Sequence, residues 1–404
     1  MKKLSLGLAE ALSITLEHIR PLGVETIGLA ESTDRVAATD LFSLVDSPTM
    51  DSSLKDGYAV LSHEVSDATP EKPVRLNLAG ILAPGGKKEI VVKPGTTVRV
   101  LTGARIPAGA DAVLTEEFAK PEGNEVLVMN FAEFGRNILR RGRDVQSRSC
   151  IINQGQHLSP GIVGLITAAG HSTVPVFNNP TVAIIGTGDE IVIPGEPLTD
   201  GKLYASNILT INAWCKRYKM KTLMTVVHDD FDTLTKTFKK LSSDADAVIT
   251  SGGAWTGDRD MVAQVFEGLG WKQYFHRIRI GPGKAVGFGM LDGKPVFILP
   301  GGPSSNLMGF LQIALPGLLT LAGHADPSLP RVTARLGADL EGRQRDWTNF
   351  FFGKLEEGEG LPVFDPLQDS SRLRAIAGAE AIACIPEGQG PLSKGSVISV
   401  QVLK

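Results

Sequence analysis

T-V-A-I-I-G-T-G-D-E (Thr181 to Glu190) joins an unbroken apolar run to a glycine turn and two carboxylates. Such a run fits a strand buried on both faces of a parallel sheet. The same order of residue types recurs downstream. It appears in A-D-A-V-I-T-S-G-G (Ala245 to Gly253), followed by G-D-R-D (Gly257 to Asp260), and in G-P-G-K-A-V-G-F-G (Gly281 to Gly289). The last instance is P-V-F-I-L-P-G-G-P-S-S-N (Pro295 to Asn306). Between these runs, Ile208, Ile211, Cys215 and Tyr218 share one helical face, as do Phe231, Leu234, Phe238 and Leu241, and then Met261, Val265 and Leu269. Strands alternating with helices of this length predict a mostly parallel, three-layer α/β domain. A last helix over about 303–322 contains Pro316, which should kink it. Ligands bind at the carboxyl ends of the strands in such sheets.

Outward from this unit the pattern changes. Residues 7–20 place Leu8, Leu12, Leu16 and Ile19 on one helical face, ended by Pro21 and Gly23. Residues 24–40 read as an extended piece turning into a second short helix. The loop 43–56, dense in Ser and Asp, runs into Asp56-Gly57-Tyr58-Ala59-Val60. An isolated Asp-Gly is a turn signal, but the acids and hydroxyls before it favour a binding loop. From Pro73 to Asn130, alternating runs broken by Gly and Pro predict a small β-barrel or sandwich. The loop Asn137 to Val145 sets Arg140, Arg141 and Arg143 beside Asp144, as a solvated loop or an anion contact. Residues 159–170 read as a helix opened by Pro and closed by Gly, packing with the N-terminal helices. Beyond 328, short strands return. The expected parts are a helical linking domain (1–45 with 146–178), an inserted β domain (46–145), the α/β domain (179–327) and a C-terminal β-barrel (328–404).

Composition excludes several function classes. With 42% hydrophobic and 21% charged residues the chain is globular, and a net charge of −3 leaves no footprint for nucleic acid or an anionic membrane. Three scattered cysteines give neither a disulfide framework nor a zinc site. The start carries two lysines but no apolar signal core, and no apolar run reaches membrane-spanning length. A soluble cytoplasmic protein is expected.

The strand-end residues define the candidate chemistry. Gly186, Thr187, Gly188, Ser251, Gly252, Gly253, Gly301 and Gly302 offer backbone N–H groups and hydroxyls to oxyanions, and a helix starting near Pro303 adds its dipole. Glu190, Asp229, Asp258 and Asp260 lie beside them and would repel a phosphate unless a hard divalent cation intervened. A Mg²⁺-dependent phosphorylated ligand is therefore expected. Neither G-x-G-x-x-G nor a P-loop is present. His228, just before Asp229, reads as a packed strand-end histidine rather than a base.

The combination of D-G-Y-A-V, V-L-T-G-A-R-I-P-A-G-A-D-A-V, R-R-G-R-D-V, I-I-G-T-G-D-E-I-V-x-P-G, S-G-G-x-x-x-G-D-x-D, P-G-K and L-P-G-G-P-S-S, in this order over almost the whole chain, resembles the MoeA family. These are molybdopterin molybdenumtransferases, related to the gephyrin E domain. The resemblance implies an elongated homodimer whose site lies between the α/β domain (MogA-like) of one subunit and the inserted domain of the other. It implies adenylated molybdopterin and molybdate as substrates, cleavage of the adenylate with Mg²⁺ or Zn²⁺, and release of AMP. A MogA-like adenylyltransferase would supply the substrate, and molybdoenzymes or cofactor chaperones would receive the product. Carried over by motif, Asp56, Thr102 and Asp144 form the inserted-domain side, and Glu190, Asp229, Asp258 and Asp260 the metal-positioning side. Lys284 and the loop Pro300, Gly301, Pro303 and Ser305 hold phosphate and pterin, with Ser370 from the C-terminal domain.

The chain departs from the family where basic residues are expected. K-P-G-K-P is Gly281-Pro282-Gly283-Lys284-Ala285, and F-x-R is Trp347-Thr348-Asn349. L-P-G-N-P has Gly302, N-S-A-M-D-G is Ser52 to Gly57, and Y-D-[ST]-N is Tyr204 to Asn207. Losing Arg and Lys removes the charge-assisted bonds a dianion needs. Three readings stay open: Lys55, Arg279, Arg372 or Arg374 rebuild the oxyanion site, the oxyanion is tungstate, or the chain binds molybdopterin without turnover.

Overall fold

The computed structural model describes residues 6–252, 261–358, 360–368 and 372–403. Gly253, Asp258, Asp260 and Ser370 lie outside them. The apolar run at Thr181 forms the strand Thr181–Thr187 in a six-stranded sheet. The order is Lys221–Val227, Thr181–Thr187, Ala247–Ser251, Lys294–Leu299, Gly287–Leu291, Lys272–His276. The first four are mutually parallel and Gly287–Leu291 runs antiparallel, so the sheet is mostly parallel. Alternation along the strand sorts the core. Val182 and Ile184 pack with Ile208, Ile211, Cys215 and Phe310 on one face. Ala183 and Ile185 pack with Leu234, Phe238, Val262 and Phe266 on the other. Each fully buried phenylalanine contributes on the order of 1.5–3 kcal/mol.

The register of the parallel strands brings their carboxyl ends level. Thr187 lies opposite Val227, Gly186 opposite Ser251, and Ser251 opposite Leu299. Four strands therefore end on one line, and each empties into a glycine or acidic turn.

The final helix of this unit differs from expectation. The stretch Pro303–Leu321 is long and apolar enough to cross a membrane, where none was expected, but 89% of its most apolar window is buried inside the fold. Pro316 does not end it, since the helical backbone continues to Leu321. A π-helical turn, Phe310–Ala314, precedes the proline, which falls in the first turn of the α-helical segment Leu315–Leu321, where its missing N–H costs least. Gly317 is required there, because a Cβ would meet Phe297 Cζ at 2.6 Å and Ile19 Cδ1 at 2.9 Å. The N-terminal helix Leu8–His18 thus packs on this helix through Ala11 and Ile19, in the core of the α/β domain.

The linking segments pair Val24–Gly28 with Thr173–Phe177, and Leu41–Phe42 with Cys150–Ile152. The second short helix expected after residue 24 is only the three-residue 3₁₀ turn Leu29–Glu31. The helix Pro160–Ala168, capped by Ser159, packs through Ile166 onto Leu41, Ile152, Val174 and Val176 rather than onto an N-terminal helix. It has no polar face with which to choose, so the nearest strands cover it. The inserted domain is a six-stranded mixed sheet with Tyr58, Leu114 and Val126 in its core. In the C-terminal region, Thr348–Glu356 pairs with both Val363–Pro366 and Ala381–Ile385, closing a five-stranded barrel with Arg331–Leu336 and Val397–Val402. Ile280–Gly281 from the α/β domain adds to that barrel alongside Thr348–Glu356.

Candidate functional site

The aligned strand ends open into a cleft of about 400 Å³. Thr187, Ser251, Gly252, Gly301 and Pro303 line its floor. Gly252 has φ 105°, and a Cβ there would meet the Thr187 carbonyl oxygen at 2.3 Å, so only glycine lets these strand ends converge. The Thr187 hydroxyl is buried and has no hydrogen-bond partner among the described residues, an unsatisfied group on the floor of the cleft. Asn306 Nδ2 donates to Ser251 Oγ and to the Pro300 carbonyl, both at 2.9 Å. Asn207 Nδ2 donates to the Gly301 carbonyl at 2.7 Å. These two amides hold the backbone of the floor in place. Gly302 caps the helix beginning at Pro303 without a side-chain bond, so the first N–H groups of that helix have no intrahelical partner.

One wall is acidic. The Glu190 carboxylate folds back over Gly188, where a Cβ would meet Glu190 Oε2 at 2.5 Å. Asp229 follows the neighbouring strand, outside the residues that line the cleft, and its N–H donates to Asp189 Oδ1 at 3.2 Å. Its carboxyl is held above the usual range, first by partial burial and then by the charges of Asp189 and Glu190, with His228 pulling the other way. His228 is exposed and lies 3.5 Å from Asp189 Oδ1, so it is not the packed histidine expected. The strand ends at Val227, which leaves residue 228 in the outward loop. Among the described residues, no group of three or more metal-ligating side chains is arranged to hold an ion.

Beside the acids the lining is apolar. Ile191, Leu198, Leu203 and Tyr204 come from a loop pinned by Lys202 Nζ on the Asp189 carbonyl and by Leu203 N–H on the Glu190 carbonyl. Leu373, from the C-terminal region, faces them. Leu198 and Leu203 are exposed. A polar floor with an apolar wall suits a phosphorylated ligand carrying a flat heterocycle. Sequence reasoning missed this wall, and the residues Tyr204 to Asn207 were its one signal.

Other expected residues sit elsewhere. The Gly283–Lys284 turn abuts the floor from behind. Gly283 has φ 111°, and a Cβ would lie 3.3 Å from the Ser305 carbonyl oxygen. Lys284 is exposed on it. Arg279, a candidate replacement for the missing charge, pairs instead with Glu387 at 2.5 Å and joins the barrel to the α/β domain.

Asp56, Thr102 and Asp144 lie in the inserted domain and none lines the cleft. Asp56 Oδ1 accepts from the Thr102 N–H at 2.6 Å and from its hydroxyl at 2.8 Å. These bonds, with Arg99 nearby, hold its carboxyl below the usual range. In the basic loop, Arg140 pairs with Asp51 and Arg141 with Asp46, each at 2.6 Å, which ties those two arginines to acids of the domain.

Fold and site together define an α/β and β protein with a cleft at the carboxyl ends of its parallel strands. Residues 6–170 match the family model for the MoeA N-terminal region (domain I and II), 183–320 that for the probable molybdopterin binding domain, and 333–403 that for the MoeA C-terminal region (domain IV). Molybdopterin molybdenumtransferase 2 of Mycobacterium tuberculosis is 30% identical over 393 residues, covering 96% of this chain and 97% of the relative. Molybdopterin molybdenumtransferase of Haemophilus influenzae is 30% identical, covering 98% of each. A molybdopterin biosynthesis MoeA protein from Pyrococcus horikoshii superposes with a TM-score of 0.78 at 30% identity over 99% of both chains. The chain belongs to the MoeA family.

Proposed function

We propose that this chain acts in molybdenum cofactor biosynthesis as a molybdopterin molybdenumtransferase, inserting molybdate into adenylated molybdopterin with release of AMP. The observation that carries the reading is the convergence of Thr187, Ser251, Gly252 and Gly301 on one floor, with the Glu190 carboxylate and an apolar wall beside it. The floor would hold phosphate oxygens through hydroxyls and N–H groups, and the Leu198–Leu203 wall would take a ring. The donor chemistry also fits Mg²⁺. Glu190 and Asp229 are hard carboxylates, Asp229 being raised by partial burial and then by the charges of Asp189 and Glu190, and Mg²⁺ takes one or two carboxylates and completes its shell with water and phosphate. Bound there, it would neutralise charge on the phosphates. By the family motif alone, Asp258 and Asp260 would join them.

The inserted domain of a second copy would bring Asp56, Thr102 and Asp144 to the cleft, making the working unit a homodimer. A MogA-like adenylyltransferase would supply the substrate and a molybdoenzyme or chaperone would accept the product, all in the cytoplasm. Gly281 and Asn349, where basic residues are expected, favour a second reading, a carrier that binds without turnover.

The purified chain, adenylated molybdopterin and Mg²⁺, with molybdate or tungstate, separate the two readings. AMP release with molybdate is expected. Binding without AMP release under either oxyanion leaves the carrier.

A further inference from the structure

At the amino ends of the parallel strands, the pole opposite the cleft, the linking segments meet the α/β domain around a second cavity of about 630 Å³. No residue lines both cavities. Arg35, Asn178 and Asn179 form one wall, and Lys219, Lys221 and Asp246 the other. The carboxylates here are already engaged. Glu25 accepts from Arg35 at 2.6 Å, and Asp246 accepts from the Thr181 N–H at 2.8 Å. Lys221 has no ion-pair partner among the described residues.

Lys219 is the unusual member. It holds the left-handed conformation, φ 59°. It follows the helix Ser206–Arg217, which is closed by Lys219 N–H on the Lys216 carbonyl and Met220 N–H on the Cys215 carbonyl, both at 3.0 Å. Glycine is the residue that such a helix end accepts without strain. A lysine there costs stability. Its ion pair with Asp34 at 3.5 Å, between half-exposed side chains, is too weak to offset that cost. Asn179 Nδ2 holds the strained Lys219 carbonyl at 3.2 Å. The outcome is a second ammonium on the wall that already carries Lys221.

We propose that this seam binds a small phosphorylated anion, with its phosphate on Lys219 and Lys221 and its hydroxyl or amino groups on the side-chain carbonyls of Asn178 and Asn179. The cavity exceeds a single phosphate and has the size of a small-molecule site. A ligand seated there would tie the linking segments to the α/β domain.

Inorganic phosphate is the probe, titrated into the full chain at low ionic strength by calorimetry, with deuterium exchange read over residues 177–181 and 218–222. Phosphate in the cleft reports separately, at residues 187–188 and 251–252. Lys219→Gly relaxes the helix end, so this variant keeps or gains thermal stability while losing the ammonium. The expected result is slowed exchange at the seam of the wild type, and an affinity about tenfold lower in Lys219→Gly and in Lys221→Gln. The double variant should lose the slowing. Seam protection that survives in the double variant, or none in the wild type, overturns the proposal.

Discussion

Gly281 and Asn349 are register partners where Ile280–Gly281 runs alongside the first residues of the barrel strand Thr348–Glu356. The two positions at which the chain lacks a basic residue are thus one place in space. A Cβ on Gly281 would lie 3.8 Å from Asn349 Oδ1 and 3.8 Å from Trp347 Cε3, in ordinary contact. Asn349 Nδ2 donates to the Gln344 carbonyl at 2.8 Å and the Trp347 carbonyl at 2.9 Å. Here the amide has a structural task, closing the turn 344–347, while its partner leaves space.

That asymmetry separates two substitutions. Gly281→Lys should fold normally, and if the cleft handles molybdate it should raise molybdate affinity by about tenfold, the scale of one charge-assisted bond. Molybdate dependence of AMP release measures it. Asn349→Ala should instead lower stability by about 1–3 kcal/mol, because two carbonyls lose their donor. Equal stability of the two variants would contradict these roles.

Gly188→Ala tests the acidic wall. With φ 144° and the Glu190 carboxylate within 2.5–2.8 Å of the added methyl, the carboxylate must move. Turnover should fall about a hundredfold or more, as when a group that stabilises transition-state charge is displaced. The melting temperature should drop by only a few degrees, since the strain is local, about 1 kcal/mol.

The acids also set a pH dependence. Asp229 is held above its ordinary range, so it opposes folding once ionised. Stability from this group is present below its unfolded pKa, about 4, and is lost as pH rises through the folded value. Asp229→Asn should therefore raise the melting temperature at pH 7 and leave it unchanged near pH 3. Mg²⁺ should raise the wild-type melting temperature at pH 7 and not that of the variant, provided the ion sits between Glu190 and Asp229. Scanning calorimetry with and without Mg²⁺ reads both effects.

Much of the α/β unit was legible because parallel strands buried on both faces leave continuous apolar runs, as Thr181–Thr187 and Ala247–Ser251 do. The floor of the cleft was legible because glycine and hydroxyl residues follow each run. The apolar wall was not, since Leu198 and Leu203 lie in a loop with no period to betray them. The helix Leu8–His18 was legible as a helix, but the residues it packs against lie about 300 positions away and carry no local signal. The pairing of Gly281 with Asn349 was hidden for the same reason.

The apolar wall gives a further test. Leu203 is 62% exposed, so Leu203→Ser removes little packing. If the wall takes the heterocycle, KM for adenylated molybdopterin should rise several-fold, about 1–2 kcal/mol of lost apolar contact, with kcat unchanged. Unchanged KM would remove the ring from this wall.

The seam between linking segments and α/β domain holds a second pH-dependent group. His324, half-buried after the last helix, has its imidazole pushed down to about 4, first by burial and then by His157, with Asp326 opposing. His157 stacks at 6.2 Å and is itself 3.4 Å from Asp34, while Tyr218 meets His324 edge-on and Lys219 pairs with Asp34. A base with a lowered folded pKa gives stability that is present above its unfolded value of about 6.5 and is lost as pH falls through the folded value. The loss between pH 6.5 and 4 would reach about 3 kcal/mol as an upper figure. His324→Gln should flatten melting temperature against pH in that window. His157→Gln should make the fall smaller, because removing the neighbouring charge lets His324 protonate more readily in the folded state. A slope unchanged in His324→Gln would assign the acid loss to the carboxylates instead.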